Sequence, residues 1–281
     1  MIEKIAKLDR RIIFLSIAVA LVLSLVYPVT LPITVSPPVQ KVYDTIENIP
    51  EGSKVLFSFD YGPSTSPEVG GAAEAVLKHL FKKNIRVIAI TLWDEGAPIG
   101  DEVMNRVSKE MGKIEEEDWI YLGFKFGGPT GSAVIEPMGI DFKTVFPYTR
   151  KTKNKPQMAT NEITMLKDVK NYDDFKAIVT FSAGVPGIKE YIQMANSRYK
   201  ITVTGGCSKV TTPELFPLLN SGQLSGVIPG VIGGAQYEKL MGYKGIAHKY
   251  VFAQSVVHLT IISFIILGNI MFFCQKRWVR K

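Results

Sequence analysis

Two long apolar runs bracket this chain, and they restrict its fold more than any other feature. From Ile12 to Gln40 there is no charged residue, and Ile12 to Tyr27 is almost wholly Ile, Leu, Val, Ala and Phe. From Tyr250 to Gln275 the chain again carries no Asp, Glu, Lys or Arg. About 20 helical residues cross a bilayer core of about 30 Å, so each run is long enough to span one. The expected spans are 12–33, with Pro28 and Pro32 near its outer end, and 250–274. A cleaved signal peptide is the alternative for the first run. Its length and the lack of a small-x-small cleavage site favour an uncleaved anchor.

The charges give these spans a direction. The 281 residues hold 33 Lys+Arg against 26 Asp+Glu, a formal net charge of +7 that invites a nucleic-acid reading. Their placement removes it. Lys4, Lys7, Arg10 and Arg11 outweigh Glu3 and Asp9 before the first run, and Lys276, Arg277, Arg280 and Lys281 follow the second without an acid. The middle is nearly neutral, its basic residues interleaved with acids and lacking an aromatic-basic stripe, so no nucleic-acid partner is expected. The positive-inside rule puts both basic tails, 1–11 and 275–281, in the cytoplasm and residues 34–249 outside it. Cys207 and Cys274 then lie on opposite sides of the bilayer and cannot pair. A charge-free stretch from Leu215 to Tyr237 would fit a third span, against which stand Pro217, Pro229 and five glycines.

Between the spans, a linker (SPPVQ) that its prolines would keep extended leads into alternating strand and helix patterns. Short apolar runs at 54–61, 86–93, 119–124, 175–182 and 200–206 read as buried parallel strands. Helical patterns fall at 66–82, 99–111 and 186–197; the first opens with Ser66, Pro67 and Glu68, a cap, a first-turn proline and a first-turn acid. Residues 125–171 look loose. Four or five such strands alternating with helices indicate an α/β, doubly wound, mostly parallel Rossmann-like sheet.

In such sheets ligands bind beyond the carboxyl ends of the strands. That edge collects Asp60, Ser64, Thr65, Ser66, Asp94, Glu95, Ser182 and Cys207. The hydroxyls and helix-start amides of the first loop suit a small polar ligand or an anion, and Asp60 with Asp94 or Glu95 suits a divalent cation. Loop capping explains the same residues. Neither GxGxxG nor GxxxxGK[ST] occurs, and no Cys/His metal motif, so no cofactor or metal is expected. TFSAG around Ser182 lacks the first glycine of a nucleophile elbow. The chain offers three histidines, His79 mid-helix and His248 and His258 at or in the second apolar run, a thin supply of bases for Ser182 or Cys207.

Gly222, Gly226, Gly230 and Gly234 recur every four residues. On a helix they would form one close-packing face; with Pro229 among them, a glycine-rich loop and short helix are the alternative. Gln254, His258 and Asn269 interrupt the second run, where polar groups tend to face a neighbouring helix, or else sit at the interface. FSFDYGPSTSPE at 57–68, DWIYLGFKFGG at 118–128 and SGQLSGVIPGVIGGAQYEKL at 221–240, followed by a run with ILGN, resemble an uncharacterised family of prokaryotic two-span membrane proteins with an extracytoplasmic Rossmann-like domain. The resemblance implies that architecture and no known activity. The expected role is a structural or ligand-sensing subunit of a membrane assembly, non-enzymatic, associating with itself or with other membrane subunits. An enzyme or small-polar-ligand module using the sheet edge is the alternative.

Overall fold

The computed structural model describes residues 9–150 and 156–279, with side chains up to Phe273. Residues 1–8 and 280–281 of the predicted tails, the 151–155 stretch and the Cys274 side chain lie outside the described residues. Ile33–Ala247 form a compact unit distinct from the two terminal helices.

That unit is built on six strands, β1 (Lys54–Asp60), β2 (Arg86–Thr91), β3 (Trp119–Phe124), β4 (Ala177–Ser182), β5 (Thr202–Cys207) and β6 (Val227–Pro229). All pair parallel, in the order β3-β2-β1-β4-β5-β6. The strands are apolar on both sides because helices cover both faces of a parallel sheet. Alternation sends Val55, Phe57 and Phe59 into one core and Leu56 into the other. The first core contains Phe57 and Phe181 with ring centroids 5.5 Å apart. The chain winds outward from β1 to β3, then returns to β4 beside β1, so the direction of winding switches between β1 and β4, where Asp60 stands opposite Ser182.

One face carries α2 (Pro37–Glu47), α3 (Ser66–Lys82), α4 (Gly96–Glu110) and α9 (Gly230–Leu240). The other carries α5 (Ser132–Met138), α6 (Phe142–Val145), α7 (Ile188–Tyr191), which runs on through a π-turn at Ile192–Asn196, and α8 (Thr212–Asn220). The terminal helices are α1 (Arg10–Val26) and α10 (Ile246–Val279).

Several expectations are corrected. The SPPVQ segment is helical, not extended. Pro37 and Pro38 take the first two positions of α2, where a missing N–H costs nothing, and Val39, Val42 and Ile46 are buried at helical spacing. The first predicted span, 12–33, is shorter than expected: α1 stops at Val26 ahead of Pro28 and Pro32. Its 17 residues rise about 26 Å, short of a bilayer core. Among the described residues one helix is long and apolar enough to cross a membrane, over Ile246–Phe273. The stretch 215–237 is no span, as its prolines and glycines argued. It forms the end of α8, a turn, β6 and most of α9, inside the domain. The four glycines do not share a helix face. Gly222 makes a turn at φ +78°, Gly226 lets the Pro38–Val42 backbone approach, Gly230 opens α9, and Gly234 lies within it. Gly234 does allow close packing: a methyl there would come within 3.1 Å of Ala247 Cβ and 3.3 Å of the Ala72 nitrogen.

Helix α9 ties the ends of the domain together. Gln236 Nε2 donates to the Thr34 carbonyl at 2.8 Å, Ser36 Oγ donates to Gln236 Oε1 at 2.8 Å, and Lys239 Nζ donates to the Ile33 carbonyl at 2.6 Å. The buried Glu238 carboxylate accepts the Gly245 and Ala247 N–H groups at 3.0 and 2.9 Å, capping the start of α10. Tyr237 lies 2.7 Å from Nδ1 of buried His79, whose Nε2 is 2.8 Å from a Glu47 carboxylate oxygen. With Nε2–H bound to Glu47, neutral Nδ1 accepts the Tyr237 hydroxyl.

Two outcomes test this packing. Gly205 sits at φ +147°, and any Cβ there would overlap the Thr180 carbonyl oxygen. Gly205→Ala is expected to cost about 3 kcal/mol or more, read as a fall in the unfolding midpoint of the purified full chain. Burial lowers the His79 pKa below its usual value, with Glu47 opposing. The native state therefore takes up this proton less readily than the unfolded chain. The stability it contributes is full above about pH 6.5 and is lost as pH falls. The advantage of wild type over His79→Gln should shrink between pH 7.5 and pH 5 in thermal melts.

Candidate functional site at the carboxyl edge of the sheet

Asp60 ends β1 at the switch point, fully buried. Its Oδ1 accepts the Leu92 N–H at 2.8 Å and its Oδ2 accepts the Thr180 hydroxyl at 3.1 Å. The Ser58 hydroxyl also bonds it and accepts the Tyr191 hydroxyl at 3.0 Å. Burial pushes the Asp60 carboxyl up to about 7 against these hydrogen bonds, with Glu190 adding repulsion. Asp60 is thus the centre of an enclosed polar network rather than a group presented to a ligand.

The other predicted edge residues are mostly occupied by the local backbone. Ser182 Oγ accepts the Ile188 N–H at 3.3 Å, and a methyl on Gly187 would reach within 2.6 Å of that oxygen. The Cys207 sulfur lies 3.4 Å from Thr212 Oγ1, and burial pushes its thiol up, away from the thiolate a nucleophile needs. Thr65 Oγ1 donates to the Gly62 carbonyl at 3.1 Å. Ser66 is the first residue of α3, and Ser64 is exposed. Asp94 Oδ1 accepts the Glu95 N–H at 2.8 Å, and the Glu95 side chain folds over Gly62. The structure therefore unites Asp60 with Thr180 and Ser58 below the edge, and strings the remaining predicted residues along it as turn caps. Among the described residues no group of three or more His, Cys, Asp or Glu is arranged to hold a metal.

The sequence reading missed a cleft of about 270 Å³ at the outer end of β3, lined by Leu122, Phe124, Lys125, Phe146, Tyr148, Thr149, Arg150 and Gln157 among others. A β-bulge builds it. Ala89 pairs with Tyr121 and Ile90 with Gly123, so Leu122 is the extra residue, and Gly123 takes φ +83°. Beyond the bulge, Phe124 and Lys125 turn outward and are exposed. Arg150 walls the cleft: its Nε donates to the Tyr121 carbonyl at 3.2 Å, its guanidinium pairs with Asp101, and it lies 5.1 Å above the Tyr121 ring. Its charge is thereby satisfied, while Lys125 forms no ion pair among the described residues. A primary amine, a phenol, a hydroxyl and an amide around apolar walls can hold a small polar or anionic molecule. The legible signal was GFKFGG, where outward Phe124 and Phe126 break the buried pattern of the strand.

Replacing Asp60 separates its burial cost from its bonding. Its raised pKa means that the native state disfavours the charged form, so stability is full below the unfolded value of 3.8 and is lost as pH rises toward about 7. Asp60→Asn should be stabilising relative to wild type at pH 8, by up to about 4 kcal/mol, with the gap closing toward pH 4 in denaturant titrations.

No protein-family model matches the chain, and a comparison with curated proteins finds no match. Among solved structures the chain is similar to a trehalose-6-phosphate synthase, OtsA, at 8% identity and TM-score 0.32, over 88% of this chain and 47% of that one. It is also similar to a short-chain dehydrogenase/reductase, a glucose/ribitol dehydrogenase from Brucella melitensis, at 11% identity and TM-score 0.28, over 70% of this chain and 89% of that one. The chain thus spans about half the length of the synthase. Likeness this slight carries no functional argument, and the Rossmann-like assignment rests on the six-stranded parallel sheet and its order.

Proposed function

We propose that this protein is a membrane-anchored, ligand-sensing subunit: a Rossmann-like domain outside the cytoplasm that takes a small polar or anionic ligand in the cleft beside β3. The observation that carries the reading is α10, whose most apolar stretch has no buried residue. Such a surface is stable in lipid and not in water. Its internal hydroxyls suit hydrocarbon, because Ser255, Thr260 and Ser263 each donate to the carbonyl four residues back at 2.8 Å. Helix α1, with Phe14, Leu15 and Val22 more than half exposed, is proposed as the second anchor, the uncharged residues 27–33 making up the length it lacks, and the basic residues at both ends support cytoplasmic termini. Gln254, His258 and Asn269 are exposed on α10 and are proposed as contacts to a neighbouring helix of an assembly.

Binding is favoured over catalysis by where the histidines lie. His79 is engaged between Glu47 and Tyr237, and His248 and His258 belong to α10. No imidazole serves Ser182 or Cys207 as a base.

Two measurements test the reading. Alkaline carbonate washing of membranes should leave the full chain in the pellet, and a membrane-impermeant thiol reagent applied to intact cells should not label Cys274; extraction or labelling would refute the anchored topology. Inorganic phosphate and small dicarboxylates should raise the melting temperature of the purified protein, and Lys125→Ala should reduce that shift several-fold without lowering the ligand-free midpoint.

A further inference from the structure

The polar groups of α10 are of two kinds. Its hydroxyls need no outside partner, since Ser255, Thr260 and Ser263 donate to the carbonyls of Val251, Val256 and Leu259. Gln254, His258 and Asn269 differ: all three are exposed, and among the described residues their side chains form no hydrogen bond. A carboxamide or an imidazole among lipid tails has no water to bond, so these groups are costly unless another side chain meets them.

They lie on one side of the helix. Gln254, His258, Ile262, Ile265 and Asn269 follow one another at intervals of four, four, three and four residues. At about 3.6 residues per turn, that spacing keeps them in a single stripe. The alternation of four and three from His258 onward is the pattern of a left-handed helix pair. Ile262 and Ile265, 49% and 57% exposed, give the stripe an apolar contact surface between its polar ends.

The chemistry of the stripe selects its partner. A carboxamide donates through its nitrogen and accepts through its oxygen, and a neutral imidazole donates through one nitrogen and accepts through the other. Each can therefore satisfy an identical group, and none carries a fixed charge that calls for an opposite one. Copies of one chain enter a bilayer the same way round. A two-fold pair then brings Gln254 to Gln254, His258 to His258 and Asn269 to Asn269 at matching depths. An Asn within such a seam also fixes its register.

We infer that α10 is a homodimer seam, through which two copies of this chain pair in parallel along Gln254, His258, Ile262, Ile265 and Asn269. The inference rests on the anchoring proposed above, and it identifies the neighbouring helix assigned there to these polar residues as the α10 of a second copy.

The test uses the full chain carrying Cys274→Ser, purified and reconstituted alone in liposomes, with single cysteines introduced as Ile262→Cys, Ile265→Cys or Leu267→Cys and oxidised with copper phenanthroline. Leu267, 49% exposed, lies on the opposite side of the helix. Disulfide-linked dimer should form several-fold faster at 262 and 265 than at 267. Asn269→Leu should slow that linkage several-fold, Asn269→Gln should restore much of it, and Ser263→Ala should leave it unchanged. Equal linkage at all three positions, none at 262 and 265, or a rate indifferent to Asn269→Leu would overturn the homodimer, provided the protein stays with liposomes washed in alkaline carbonate. Linkage at 262 and 265 to a different protein in native membranes, with none in the liposomes, would also overturn it. Protein released by the carbonate wash would instead overturn the anchoring on which the inference rests.

Discussion

Helix α9 is the element on which the rest of the domain depends. Four consecutive residues do unlike jobs: Gln236 and Lys239 fix the entering chain, Glu238 fixes the leaving chain, and Tyr237 meets His79 on α3. Gln236, Tyr237 and Glu238 are buried, and the backbone groups that Gln236 and Glu238 hold would otherwise lack partners, which makes those bonds costly to lose. Because both ends of the domain converge on one helix, a change in either terminal segment is felt at the same place. The glycine at 234 is what permits this convergence, since a larger residue would force Ala72 and Ala247 apart.

The sheet supplies the second constraint. A parallel sheet buried on both faces leaves its polar chemistry to the strand ends, and here the central strand ends in a carboxyl that is wholly enclosed. Asp60 is costly to hold charged, yet Leu92, Thr180 and Ser58 all converge on it. It links β1 to the loop after β2 and to β4, fixing three strand ends across the switch point. Buried polar networks of this kind confer a single arrangement more than they confer stability.

Much of this fold could be read from the residues, because uninterrupted apolar runs between cap signals are the direct imprint of a buried parallel strand. β1 and β3 are legible to within a residue, and Ser66-Pro67-Glu68 marks the start of α3. What escaped has physical causes. β6 is three residues long and lies among glycines and a proline, so it offers no run to recognise. Pro37 and Pro38 signal a helix start as readily as an extended linker, and only the buried face of α2 decides between them. The expected edge residues lie at strand ends or in the turns after them, but whether a hydroxyl faces a ligand or its own turn depends on angles that no spacing encodes. The cleft beside β3 escaped because it arises from a one-residue bulge, and a bulge is a relation between two strands.

The treatment of the sheet margins has a consequence for how copies of this chain can meet. An open strand margin invites another strand to add to it, the route to domain swapping and fibrils. At one margin β6 is only three residues long and is backed by α2 and α9. At the other, β3 is kinked by its bulge, and the Tyr121 carbonyl that an incoming strand would need is already taken by Arg150. Neither margin can serve as a template. Crowding many copies of this domain together would therefore raise its local concentration without opening a path to cross-β aggregation, and any contact between copies would have to use helices and loops.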